Sequence, residues 1–310
     1  MVAIMPMAGR AAGLLRRRKW LGVALTVPAL VVLTSWWLTA PLEEEEVASP
    51  ALSTATPAPA PTASTAPGRP AWPEGRVEGT EAKMVLLAVL EDAARRIDAA
   101  SGYVATFKKQ ERIGGRLLPE QTMAMKVRQR PFAVYLKFLA PKAGKEVLYA
   151  EGHRKNKVLA HNGDWTRRLV PRLEVAPDSP TALADNRHPI TEAGLSNLAH
   201  KLVAFRKLDL GDPEAITILD RTTGPDGRPL LRSVHLHEHP NASRPFARIE
   251  VLYDPATHFP VQISSHDWPH PGEAGEPLVE RYAYEGLVLD PPLTALDFDP
   301  ANPAYEFLRY

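Results

Sequence analysis

The polarity of the chain changes character three times along its 310 residues. From Leu21 to Ala40 no residue is charged. From Pro41 to Pro73 small residues follow one another without period, broken by eight prolines. Beyond Thr80 regular periods set in. Most are the two-residue alternation of strands, and two stretches carry the 3.6-residue spacing of helices.

Twenty uncharged residues at about 1.5 Å rise cover about 30 Å, the thickness of a bilayer's hydrocarbon core. Arg16, Arg17, Arg18 and Lys19 precede them, Glu43 to Glu46 follow, and Trp36 and Trp37 stand near the outer boundary. Residues 1–19 are therefore expected to be a cytoplasmic basic segment and 20–40 a transmembrane signal anchor, with the rest outside the cytoplasm. A cleaved signal peptide is the rival reading. Its apolar core is usually shorter, and the small-residue exits here run into Pro41 and Pro50, which disfavour cleavage. Residues 41–79, rich in Pro, Ala and Thr, cannot bury enough apolar surface to offset their ordering entropy and are expected to form a disordered linker.

Residues 80–310 are expected to fold as one domain. One helix should run from a Thr80 cap, with Leu86, Val89, Leu90, Ala93 and Ile97 on one face, to a left-handed Gly102. A second should begin at Thr191 and bury Leu195, Leu198, Ala199 and Leu202. Strands are expected at 103–113, 121–130, 132–139, 145–151, 157–161, 214–223, 229–238, 246–254, 259–267 and 278–287, with Gly114-Gly115 and Asp226-Gly227 as turns. Strands in runs, rather than in strict alternation with helices, predict an antiparallel α+β fold: a large curved sheet with helices packed on one side, preceded by one transmembrane helix.

Charge and cysteine content narrow the function. Five of the 37 basic residues lie before Pro41 and four of the 36 acidic ones at 43–46, so the remainder balances at 32 of each. A neutral domain lacks the basic footprint of nucleic-acid binding. The absence of cysteine excludes disulfides, thiolate catalysis, cysteine zinc sites and a lipoprotein acylation site.

Four stretches resemble a bacterial family, the domain of unknown function DUF1571. They are Lys137-Phe138 and Pro141 leading into Gly144-Lys145-Glu146-Val147-Leu148-Tyr149; Asn186-Arg187-His188-Pro189-Ile190-Thr191; Asp267-Trp268-Pro269 with Glu280-Arg281-Tyr282-Ala283-Tyr284; and Leu293-Thr294, Asp297-Phe298-Asp299-Pro300 with Asn302-Pro303-Ala304-Tyr305-Glu306-Phe307. That family is similar in architecture to the LolA and LolB lipoprotein carriers. The resemblance implies an incomplete β-barrel with an apolar concavity for lipid or lipoprotein acyl chains. The family is bacterial, so the anchor with its basic flank predicts a single pass through the bacterial inner membrane with the C-terminal domain in the periplasm. The resemblance carries over no catalytic residues.

His235, His237 and His239 alternate on one strand face and could approach a metal, but no carboxylate with metal spacing lies beside them. A solvated face is the preferred reading, with Val234 and Leu236 turned to the core. His266-Asp267 with Ser264-Ser265 does not make a triad, because strand neighbours point to opposite faces. No motif with a catalytic mechanism is present, and neither a cofactor nor an enzyme is expected. Arg187 and His188 are candidates for the polar lip of a cavity, but the preferred reading of the segment is a helix entry, with Pro189 fixing the approach and Thr191 capping. Asp297 to Phe307 should clasp the sheet. The strongest ligand-binding candidates are two alternating apolar faces, Met123, Met125 and Val127 on one strand and Phe132, Val134, Leu136 and Phe138 on the next. If they line a concavity, the domain binds a lipid or other apolar ligand at the membrane. If that interior is filled, it is a structural or protein-interaction module.

Overall fold

The computed structural model describes residues 68–163, 172–240, 244–269, 272 and 275–307. The anchor at 20–40 and the linker up to residue 67 lie outside the described residues. No helix among the described residues is long and apolar enough to cross a membrane.

Among the described residues thirteen strands make one antiparallel sheet. In chain order they are β1 (Val77–Glu78), β2 (Gly102–Ile113), β3 (Arg116–Leu117), β4 (Gln121–Arg128), β5 (Ala133–Ala140), β6 (Glu146–Ala150), β7 (Val158–His161), β8 (Leu173–Val175), β9 (Ile216–Thr223), β10 (Pro229–Leu236), β11 (Arg248–Tyr253), β12 (Pro260–His266) and β13 (Leu278–Leu289). Their spatial order is β1-β9-β10-β11-β12-β13-β2-β4-β5-β6-β7-β8, with β3 appended to β2. The end strands β1 and β8 do not pair, so the sheet is open. The ten predicted strands are all present. The three additional ones, β1, β3 and β8, have two or three residues each, too few for a period to register.

Two long helices lie on the concave side, α1 (Thr80–Ala99) and α3 (Leu195–Leu210), while α2 (Pro180–Leu183) is a single turn. The expected stripe of α1 is the buried one. Leu86, Val89 and Leu90 pack on Leu219, Leu231 and Val251, whereas Ala93 and Ile97 meet Tyr103, Met125 and Val127. The helix ends differ from expectation. Gly79, with φ 73°, takes the N-cap position, and Thr80 is already helical. Gly102 is not left-handed but opens β2, where a Cβ would stand 2.3 Å from the Val127 carbonyl oxygen. The second helix starts at Leu195 rather than Thr191. Residues 190–192 form a short 3-10 turn, and Gly194, at φ 108°, separates it from α3. Tyr103 Oη then accepts a hydrogen bond from Leu195 N at 2.7 Å, so the sheet caps the helix.

The fold also begins earlier than residue 80. Trp72 is buried, its ring 5.2 Å from that of Tyr253, and Val77–Glu78 pairs with β9. Residues 72–78 therefore belong to the domain, because an indole and a strand's backbone bonds repay their ordering. On the convex side the C-terminal segment clasps the sheet as its aromatics suggest. Phe298, Tyr305 and Phe307 cover Ala133, Tyr135, Leu148 and Leu159. Tyr305 stacks on Tyr135 at 3.9 Å between centroids. Beneath this clasp the buried Glu146 accepts from Tyr135 Oη at 2.9 Å and from Glu306 N at 2.8 Å.

Candidate functional site: a cavity on the concave face

Strand parity builds the site. Register places Met123 opposite Phe138, Met125 opposite Leu136 and Val127 opposite Val134, so the two predicted apolar faces are one continuous wall. The next strands extend it through Tyr284, Phe107 and Ala105 on one side and Val147 and Tyr149 on the other.

The helices cover only part of this wall. Met125, Val127 and Val134 are packed with Ala93, Ile97 and Leu195. Met123, Leu136 and Phe138 instead face a cavity of about 550 Å³, within the range of small-molecule sites. Phe132 precedes β5 and borders a second recess with Val127, Gln129 and Tyr149. The predicted set is thus divided between a filled core and an open space. Nine strands, from β11 round to β8, contribute to the cavity wall, and Leu198, Leu202 and Phe205 of α3 form its roof. Residues from Ile249 to Val175 can face one space only because the sheet curves around it.

One margin of the cavity is polar. Cross-strand pairing aligns Thr217, His235, Ile249, Ser265, Glu280 and Glu111 in a single inward-facing row across six strands. Glu111 and Glu280 are buried there, and the segment from Asn186 to His188 is fastened to them. Arg187 N donates to Glu111 Oε2 at 3.2 Å, and Arg187 Nε donates to Glu280 Oε2 at 3.1 Å. His188 Nε2 lies 3.1 Å from the same Glu280 oxygen, and Ser265 Oγ donates to Glu280 Oε1 at 3.2 Å. Lys109 pairs with Glu111 at 3.0 Å and donates to Asn186 Oδ1. Tyr282 Oη donates to Glu111 as well. Burial disfavours the charged form of Glu280, but the hydrogen bond and charge of His188, with Arg187, outweigh it and hold the carboxyl below its ordinary range. Burial, followed by the charges of Glu280 and Glu111, pushes the Tyr282 phenol up, so it stays a donor.

Arg187 and His188 do line the cavity, yet the Arg187 guanidinium and the His188 Nε2 are directed to Glu280 rather than outward. The segment is neither a free lip nor the first turn of α3. Glu111 was legible in principle, since Lys109 and Glu111 continue the parity of Tyr103 and Phe107. Charge on an otherwise apolar face is the signal of a buried polar site.

The histidine reading is overturned. His235 is 1% exposed and His237 is buried, while Val234 and Leu236 are the half-buried positions. His239, past the strand's end, is exposed as expected, but His235 and His237 turn to the interior because Ser233, Leu231 and Tyr253 share their face and the space above is polar. His235 Nδ1 meets Thr217 Oγ1 at 3.1 Å and its Nε2 meets Ser233 Oγ at 2.9 Å. Burial, reinforced by the Arg206 and His237 charges, holds its pKa well below the usual value. Above it Asp209 sits between Arg206 Nη2 and Arg244 Nε, each at 2.9 Å, with His237 Nε2 at 3.5 Å. Among the described residues no cluster of three or more His, Asp or Glu side chains has the arrangement to hold a metal ion.

The sequence pattern of a family described as protein of unknown function (DUF1571) matches residues 100–307. No curated protein matches the chain. Among solved structures, a putative outer membrane lipoprotein-sorting protein domain from Vibrio parahaemolyticus is similar at 9% identity and a TM-score of 0.33, covering 69% of this chain and 95% of that one. The Mycobacterium tuberculosis lipoprotein LppX is similar at 12% identity and a TM-score of 0.38, covering 70% and 99%. A LolA superfamily protein from Nitrosomonas europaea gives 8% identity and 0.26, covering 68% and 97%.

Proposed function

The chain belongs to the DUF1571 family, and we propose that its folded domain binds a lipid or other apolar ligand in the concave cavity, tethered outside the cytoplasm by an anchor at 20–40. One observation carries this reading. A cavity of about 550 Å³ adjoins Met123, Leu136 and Phe138, themselves about nine-tenths or more buried, and extends between Val147, Leu198, Phe205 and Tyr282, where a filled core would place side chains. An apolar surface left uncovered gains about 0.8 kcal/mol for each methylene a ligand brings to it. Ten methylenes would contribute roughly 8 kcal/mol before association and ordering costs, so exchangeable, micromolar binding is the expectation. Methionine at position 123 suits a ligand of variable shape. The anchor rests on the charge-bounded run of the sequence, which supports a location at the periplasmic face of a bacterial inner membrane.

The test uses residues 68–310. Purified protein should carry extractable lipid detectable by mass spectrometry and should take up a fluorescent fatty acid. Leu136→Arg, which sets a charge in the wall, should weaken uptake at least tenfold while the fold persists by circular dichroism. Absence of lipid and of uptake in the wild type, or uptake unaffected by Leu136→Arg, would leave the cavity without this role.

A further inference from the structure

Five lysine and arginine side chains line the cavity, and four face a carboxylate. Lys109 meets Glu111 at 3.0 Å, Arg187 meets Glu280 at 3.1 Å, Arg206 meets Asp209 at 2.9 Å, and Lys201 pairs with Glu192. Lys145 is the fifth, and it makes no ion pair among the described residues. It stands at the bend between β5 and β6, where its carbonyl oxygen accepts from Phe138 N at 2.8 Å and Gly144 N donates to Phe138 O at 2.9 Å. That clamp holds its ammonium 4.9 Å over the Phe138 ring, at one end of the apolar wall. Its charged neighbours add to the excess. The Asp185 carboxylate nearby is already met by Lys142 at 3.3 Å, and Glu111 by Lys109. Burial, then the charges of Lys142 and Lys109, lower the Lys145 pKa against the opposing pull of Asp185.

We propose that the ligand is an amphiphile with an anionic head, a carboxylate or a phosphate monoester, which pairs with Lys145 while its tail lies along Phe138 and Met123. This inference rests on the cavity being the binding site. A ligand that fills the cavity removes water from the Lys145 ammonium. A neutral head leaves that charge covered and uncompensated, and a cationic head adds repulsion. An anionic head replaces the lost water with a charge-assisted hydrogen bond in a medium of low dielectric. The stacked Phe138 ring fixes the ammonium without neutralising it, so the site is ready before the ligand arrives.

Photocrosslinking tests this in the full-length chain, reconstituted in phosphatidylcholine nanodiscs. Three diazirine probes with sixteen-carbon tails are titrated: the fatty acid, the lysophosphatidate and the alcohol. Crosslinks to peptides of β4 and β5 are quantified by mass spectrometry, so probe dissolved in the bilayer does not count. The acid or the lysophosphatidate should half-saturate at a concentration at least tenfold below the alcohol, and whichever is lower names the natural head. Lys145→Gln should abolish that preference and leave the alcohol within twofold, whereas Lys145→Arg should preserve it. Equal saturation by acid, lysophosphatidate and alcohol, or a preference that survives Lys145→Gln, overturns the head-group assignment and leaves apolar binding standing. Absence of cavity crosslinks with every probe overturns both.

Discussion

Asp209→Ala should be among the most damaging single substitutions in the domain. Asp209 and Arg206 are each 1% exposed, and Arg244 is nearly as buried. The Asp209 carboxylate is shared by two guanidiniums at 2.9 Å. Removing it leaves the buried Arg206 guanidinium without its carboxylate and beside Arg244, which keeps Asp212 at 3.4 Å, and breaking a buried pair in this way costs about 3–5 kcal/mol. At about 2–4 °C per kcal/mol for a domain of this size, Tm should fall by about 6–20 °C. Urea denaturation of residues 68–310 measures the loss. A triple variant, Arg206→Met with Asp209→Leu and Arg244→Met, removes the three buried charges at the centre, leaving only the part-exposed Asp212 carboxylate without its arginine, and should be more stable than the single one. The pH dependence has a definite sign. Burial opposes the Asp209 charge, yet the hydrogen bond of His237 and the charges of Arg206 and Arg244 prevail and lower its pKa. Its stabilisation is therefore present above the unfolded carboxylate value, about 3.9, and is lost as pH falls through the lower folded value. The gap between wild type and Asp209→Ala should close below about pH 4. A loss under 1 kcal/mol at neutral pH, or a triple variant weaker than the single one, refutes this account of the network.

His235→Gln should cost about 1–3 kcal/mol, because it leaves Thr217 or Ser233 without its buried partner. The depressed pKa of His235 means that its contribution is present above about pH 6.5 and lost below, so equilibrium unfolding of the variant should show a flatter stability profile between pH 6.5 and 5. Gly102→Ala should cost about 1–3 kcal/mol by denaturant titration, since its Cβ would lie 2.3 Å from Val127 O and force β2 from β4; stability equal to wild type would show that the strand ends adjust freely.

Much of the fold was legible because its elements carry their periods locally. The ten longer strands and the α1 stripe follow from alternation and from 3.6-residue spacing over at least four residues. Pairing of the Met123 and Phe138 faces was implied by a short connection between β4 and β5. Which half of that wall stays open was not legible. It depends on where α1 and α3 end over the sheet, and residue type does not distinguish Met123 at the cavity from Met125 under Ile97. The histidines misled because Val234 and Leu236 are the more hydrophobic alternates. Alternation names two faces, and hydropathy assigns the inner one correctly only where the space above it is apolar. Over β10 that space holds Arg206 and Asp209, residues of a helix whose rotation the strand does not encode.

The irregular segments were recognisable as residue stretches but unreadable as conformations, for one physical reason. Each is held by a buried carboxylate on the sheet that is distant in sequence. Glu280 fixes Arg187 across 93 positions, and Glu146 fixes the backbone at Glu306 across 160. A buried carboxylate needs several donors to remain charged, and a loop that supplies backbone and side-chain N–H groups meets that need while gaining a fixed path. The same device thus serves both faces to different ends. On the convex face Glu146 lies under Tyr305 and Phe307, and the clasp closes over it. On the concave face Glu280 and Glu111 stand at the margin of open space. The segment they hold, Asn186 to His188, becomes part of the cavity wall while its charges are already met. Lys145, next in sequence to Glu146, turns to the opposite face by strand parity. One short stretch can therefore anchor the clasp with one residue and turn its neighbour, which makes no ion pair among the described residues, to the cavity.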